Sequence, residues 1–534
     1  MAAAGQLEGA WGNLPFDAAA AVVATLTSLP SHQAQAAFTA LRLTSRHWRH
    51  AADDALQRWT ARAYLLADHN VPDSNEDGLV VLLRRFRNLR TLELDWARWQ
   101  APPRSLSAAA LQALASLRRL ETLTLCGCYP TAELFPAVAA LPSLHSLVFE
   151  PYVGWSRGIS FESRRAFAAR PDVSVAPLAR CTALASLELR NVDTAGVEAD
   201  VAAVVAGASA LRRLVLHRCI RATAGLAQQT FDVGCAASRL TCLGLRSSFT
   251  TDDAFQQLFA QLSRLQRLDI SGSPNLTDDG FCGVTSLAGS LTALTMQGGH
   301  NVGPNGATAL AQLSGLRELD LGYSNIMSGD YLLPLIAGHL TLLTLLDIRG
   351  CHRACAPHAF DHVSRLAQLQ HLRQALCARS CRLGPAAVRA LSHLHSLRHL
   401  DIADNPLLGS LEALASLREL QFLDSSECEL EDAHVEALLA SLPAVRTVLL
   451  DSNSSLTTAA LEALAAGPAR CTLEVLQATE LASLDCEELP HLLPQLAALQ
   501  VLDVSGAMCD GGSLVDGEAL LAAAEAAPAL HTLM

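Results

Sequence analysis

Reduced to apolar and polar positions, residues 89–534 repeat one short phrase, L-x-x-L-x-L, with Ile, Val, Met, Phe or a small residue substituting. It begins at Leu89, Leu120, Leu144, Leu184, Leu211, Leu240, Leu265, Leu291 and Leu316. It continues at Leu343, Leu372 (LRQALC, irregular), Leu397, Leu420, Val445, Leu473 and Leu499, and a seventeenth start at Leu530 runs to the last residue. Successive starts lie about 27.6 residues apart on average. The final apolar pair of each phrase has period 2, which predicts a short strand whose Leu side chains enter a core while the residue between them faces out. After the strand, apolar residues return at helical spacing, and TDDAFQQLFAQL (251–262) places Phe255, Leu258 and Leu262 on one inward face. One such unit cannot bury its apolar face alone, whereas stacked neighbours can. The pattern therefore predicts a solenoid whose parallel concave sheet, at ~4.8 Å per strand, runs about 75–80 Å along its arc.

The phrase resembles that of the leucine-rich-repeat family, over about 85% of the chain. Three residues after the last core position stand Cys128, Cys219, Cys351, Asn405, Cys428 and Asn453, residues that in the family turn inward and hydrogen-bond neighbouring backbone. Segments such as LTDDGF (276–281) are similar to the cysteine-containing and ribonuclease-inhibitor-like subclasses. The resemblance implies an α/β solenoid, a curved horseshoe with a parallel concave sheet and a helical convex side, spanning residues 89–534 as about sixteen repeats plus a truncated one.

Residues 13–60 do not fit the repeat and are expected to form three short helices around a turn at Pro30 and Ser31. They resemble an F-box: Leu14 and Pro15 match its opening Leu-Pro, and Leu41 to Trp48 (LRLTSRHW) match its Leu-x-x-Val-Cys-x-x-Trp element. Leu56 or Trp59 would supply its closing apolar residue. The chain departs from the family at Asp17, Thr44 and Ser45, where Glu, Val and Cys are usual. The resemblance implies that Leu14, Pro15, Val22, Leu26, Leu29, Leu43 and Trp48 contact a Skp1-like adaptor and its cullin complex or support that surface. A helical cap sealing the first repeat is the alternative. Residues 1–12 are expected to be a disordered tail and 61–88 a linker and N-terminal cap.

Composition then narrows the function. Half of the 534 residues are hydrophobic and 17% are charged, which suits a large core of Leu, Ala and Val. All 39 basic residues are Arg, so lysine-dependent P-loop, Schiff-base and general-base chemistry is excluded. The net charge is −13, but residues 1–250 hold 25 Arg against 20 acids, and residues 401–534 hold 3 against 22. That distribution argues against nucleic acid as a partner, since phosphate binding needs a concentrated basic surface. No apolar run reaches the length of a membrane span, no secretory signal is legible, and the 15 cysteines are an odd number. The expected location is cytoplasmic or nuclear, with a cytoskeletal or axonemal one as the alternative.

Candidate contacts follow from the outward strand position. It is Asp269, Asp320, Asp347, Asp401, Asp424 and Asp503 in six repeats, a carboxylate ladder suited to a basic partner. Earlier repeats instead offer Arg190, Arg212, Arg213, Arg218 and Arg246. The long interval from Leu144 to Leu184 leaves a loop at about 150–175 rich in aromatic residues and Arg, a mixture suited to an acidic or phosphorylated peptide, or else one degenerate repeat. Cys351, Cys355, His358 and His362 have a ligand-like spacing, but strand and helix would hold them apart, so no metal and no cofactor is expected. No nucleophile-elbow, zincin, dinucleotide or Walker sequence is present. The sequence thus points to a non-enzymatic substrate-recognition subunit of a Skp1–cullin–F-box ubiquitin ligase that binds an unknown protein substrate on its concave face. The alternative is a repeat scaffold with no ligase role.

Overall fold

The computed structural model describes residues 58–62, 75–96, 105–151, 173–192, 197–219, 237–247, 251–299, 301–324, 331–351, 357–373, 383–481, 485, 488–507, 525, 527 and 529–533. The chain divides into two compact units, residues 1–248 and 249–534. Both are leucine-rich-repeat coils of α/β class.

In the first unit seven strands pair in parallel and in chain order. They are β1 (Arg58–Arg62), β2 (Thr91–Asp95), β3 (Thr122–Cys128), β4 (Ser146–Pro151), β5 (Ser186–Arg190), β6 (Arg213–His217) and β7 (Cys242–Arg246). In the second unit the same order runs through β8 (Arg267–Asp269), β9 (Ala293–Thr295), β10 (Glu318–Asp320), β11 (Leu345–Asp347), β12 (His371–Arg373) and β13 (His399–Asp401). It continues through β14 (Phe422–Asp424), β15 (Thr447–Leu449), β16 (Val475–Gln477), β17 (Val501–Asp503) and β18 (Thr532–Leu533). Helical segments, α or 3-10, connect many successive strands, as parallel pairing requires a crossover.

The core is the repeated Leu of the phrase. Leu89, Leu92 and Leu94 are buried, and Leu397, Leu400 and Ile402 are buried in the same places. Phe255, Leu258 and Leu262 are fully buried from the helical side, as their spacing predicts. The strand ends in a tight turn with a left-handed residue at one recurring place: Gly272, Tyr323, Gly350, Asp404, Glu427, Ser452 and Glu480 all have positive φ. That twist delivers the next side chain to the interior, and Cys128, Cys219, Cys351, Asn405, Cys428 and Asn453 are all buried there. The Sγ of Cys219, Cys351 and Cys428 donates to the carbonyls of Leu189, Leu321 and Ile402, one coil back.

Two expectations need correction. The irregular repeat begins at Leu369, not Leu372: β12 is His371–Arg373, and Leu369 and Leu372 are its buried first and second core residues. The polar Gln374 stands where the final apolar residue belongs, which draws the pattern three residues onward. Upstream, the last residues of the segment expected to be helical lie in β1, where Trp59 and Ala61 pair in register with Leu92 and Leu94. The repeat therefore starts one strand before Leu89. Leu14, Pro15, Val22, Leu26, Leu29, Leu43 and Trp48 lie outside the described residues, as does most of the loop at 150–175.

Candidate interaction surface

Side chains alternate along each strand, so the residues flanking every core Leu form rows on the outward face. In the first unit the row at the strand C-terminal ends runs Cys126, Glu150, Arg190, His217 and Arg246. Arg190 pairs with Glu188 at 2.7 Å and with Glu150 at 3.3 Å. Burial, and then the charges of Arg218, Arg246 and Arg190, lower the His217 pKa. The predicted arginines do not form one patch. Arg213 reaches Glu188 at 3.4 Å, whereas Arg212 lies just before β6 and turns back onto the carbonyls of Ser209 and Leu211. Arg246, the last residue of β7, and Arg218, which follows β6, are exposed at the C-terminal ends of the strands.

In the second unit the first outward row reads Arg267, Ala293, Glu318, Leu345, His399, Phe422, Thr447, Val475 and Val501, with His371 at the register position between Leu345 and His399. The other row reads Asp269, Thr295, Asp320, Asp347, Asp401, Asp424, Leu449, Gln477 and Asp503, with Arg373 at the register position between Asp347 and Asp401. The expected carboxylate ladder is thus interrupted: Asp320 adjoins Asp347 and Asp401 adjoins Asp424, while Asp269 and Asp503 are separated from those pairs by other residues.

Each of the six aspartates has a structural task. An Oδ1 accepts the backbone N–H two residues on, from Ser271, Gly322, Arg349, Ala403, Ser426 and Ser505, which holds the turn leaving the strand. Asp347 is additionally covered by Arg349, whose Nη2 lies 2.8 Å from Oδ2, and its side chain is 3% exposed, so it does not offer a charge to a partner. Asp320 also accepts from Gln297 at 2.7 Å. Burial, and then Asp424, push Asp401 up to about 6.

The first outward row was not singled out from the sequence. It holds the parallel stack of His399 on Phe422, with ring centroids 4.0 Å apart and planes 8° apart. Leu449, Val475 and Val501 follow, half-buried, on the same face. The third position of each L-x-x-L-x-L phrase, read alongside the fifth, would have found the row.

Cys351 is buried and donates to a backbone carbonyl, which turns it away from ligation. Cys355 and the side chain of His358 lie outside the described residues. Among the described residues no group of three or more His, Cys, Asp or Glu is placed to hold a metal ion, and no helix is long and apolar enough to cross a membrane.

No protein-family model and no curated protein matches the chain. Solved structures do. An internalin of Listeria monocytogenes is 17% identical, covers 67% of this chain and 92% of its own, and has a TM-score of 0.39. A leucine-rich-repeat protein of Leptospira interrogans is 16% identical over 89% of this chain and 99% of its own, with a TM-score of 0.44. Rad7, solved in complex with Elc1 in yeast, is 15% identical over 86% and 92%, with a TM-score of 0.43.

Proposed function

We propose that the chain is the substrate-recognition subunit of a Skp1–cullin–F-box ubiquitin ligase, holding a protein substrate on the outward sheet face. The observation that carries this is the order of parts: the Leu14-Pro15 to Trp48 motif stands immediately ahead of a long array of in-register strands whose outward faces vary from coil to coil. Recognition by such an array needs no reacting group; it raises the effective concentration of the substrate near transferred ubiquitin. The chain itself catalyses nothing and works in the cytoplasm or nucleus. Co-purification tests it. The intact chain is expected to retain a Skp1-like adaptor, and the triple variant L14A/P15A/W48A to lose it; absence of the adaptor from the intact chain overturns the proposal.

One observation favours a second reading. Because β1 begins at Arg58, only nine residues separate Trp48 from the first strand, a distance that suits a cap packed on the end of the core. Under that reading the protein is a repeat scaffold of a cytoskeletal or ciliary assembly. W48A would then lower the melting temperature of the intact chain, and no cullin would co-purify.

A further inference from the structure

On the outward face of β13–β17 the charges are sorted by strand end. At the N-terminal ends of these strands, arginines are matched by glutamates one coil on: Arg398 with Glu419 at 3.2 Å and Arg446 with Glu474 at 2.6 Å. At the C-terminal ends stand Asp401, Asp404, Asp424, Glu427, Asp451 and Glu480. Residues 399–507 contain three arginines, Arg418, Arg446 and Arg470. Arg418 donates to the carbonyl of Ser441, Arg446 pairs as above, and Arg470 is in the 3-10 helix Pro468–Cys471, while from the preceding coils Arg349, which covers Asp347, also acts on Asp401 and Arg373 stands beside it in register.

Beside this acidic edge runs the apolar row. Phe422 is stacked on one side by His399, and on the other side its neighbour in register is Thr447, a side chain too short to cover a phenyl ring. Leu449, Val475 and Val501 extend the apolar surface along the following strands. A sheet face with an apolar strip and an edge rich in carboxylates selects its complement: an extended segment alternating apolar and cationic side chains. The aromatic platform favours a planar guanidinium, which stacks on a ring and takes a carboxylate with two parallel hydrogen bonds, over a compact ammonium.

We propose that the outward face of β13–β17 docks an extended, arginine-bearing segment of a partner protein, with apolar side chains on Phe422, Leu449, Val475 and Val501 and guanidinium groups against Asp401, Asp424 and the turn edge. The inference rests on the sheet face being the substrate-binding surface, and it names the chemistry of what binds there.

The test uses the intact chain and three synthetic twelve-residue peptides alternating Leu with Arg, Lys or Glu, followed by fluorescence anisotropy and by amide hydrogen exchange. The Arg peptide is expected to bind tightest, to slow exchange within residues 399–503, and to bind about tenfold or more weakly to F422A and to D401N/D424N. The asparagines keep the Oδ1 acceptor of each turn, so the double variant reads charge and not folding; melting of both variants no lower than that of wild type secures this. Equal binding by wild type and D401N/D424N overturns the proposal, as does equal binding of the Glu peptide or protection elsewhere in the chain. So does a salt-sensitive dimer of the chain alone that excludes the peptide, since the occupant would then be a second copy. Adaptor capture from the same preparation separates the two proposals: peptide binding without the adaptor sustains the docking face and removes the ligase role, and the adaptor without peptide binding does the reverse.

Discussion

Asn453 and Asn405 occupy the same place in two coils but are tied in differently. Asn453 donates to the carbonyls of Ser425 and Leu450 and accepts from the N–H groups of Cys428 and Leu430. Asn405 donates to Ile402 and Ala403, but its Oδ1 has no partner among the described residues. Buried backbone groups stripped of a partner cost roughly 1–3 kcal/mol, so N453A is expected to lower stability by about 2–3 kcal/mol and N405A by less. Urea unfolding of the two variants measures the difference, and equal losses would contradict it. Asp401 gives a pH signature. Its folded pKa of about 6 lies above the unfolded value near 3.8, so its ionisation opposes folding above pH 6 and stability is recovered as pH falls from 6 toward 4. D401N should therefore melt slightly higher than wild type at pH 7.5, by about 1–2 °C, with the gap closing by pH 4; calorimetry at both values decides. Thiol chemistry divides along burial as well. Cys126 and Cys128 are each pushed up to about 12 chiefly by burial, whereas Cys471 is exposed. Iodoacetamide at pH 7.5, followed by peptide mapping, should label Cys471 in the native chain and the other two only after denaturation.

Between neighbouring coils the helical side is joined by a polar staple that the LTDDGF phrase encodes. Asp252 accepts from the backbone N–H and the hydroxyl of Thr277, and Asp432 does the same for Thr457, each link spanning 25 residues. The stapled threonine is itself the N-cap of the next helix, accepting from Asp279 or Ala459. D432A should thus loosen two coils for one substitution, costing about 1–2 kcal/mol, and exchange of the amides in 457–466 should quicken more than that of the strands. Gly280 belongs to the same device: a Cβ there would collide with Asp252, so G280A should be destabilising despite the helical propensity of Ala. At this scale the sequence was most readable. Leu at a fixed spacing is a packing requirement repeated many times, so strand positions, core residues and buried Cys and Asn could all be placed from pattern. The lapses have equally local causes. Gln374 at a core position shifted one repeat by three residues, and Trp59 and Ala61 in place of two Leu concealed β1. The outward rows were harder because no packing rule fixes them. Aspartate at the fifth position looked like a ligand row, yet its first obligation is to hold its own turn, and the aromatic stack became visible only when His399 and Phe422, 23 residues apart, met in register.

Across the molecule, charge and lysine content set the expectations. Residues 401–534 carry 22 acids against 3 Arg, so binding of a cationic segment there should weaken steeply as salt rises. The complete absence of lysine offers a transferred ubiquitin no ε-amine on this chain. If the chain works beside an active ligase, R470K, at an exposed site, should gain conjugates and shorten the lifetime of the protein in cells; an unchanged lifetime would contradict this. The in-register rungs of β13–β17 also impose a grammar on whatever lies across them. Rungs advance by about 4.8 Å and an extended peptide by about 3.4 Å per residue, so the two scales coincide near 14 Å, at three rungs and four residues. A ligand running from Phe422 on β14 to Val501 on β17 crosses three rungs. Its anchors would recur at every fourth residue, a vernier that turns a row of strands into a searchable sequence motif.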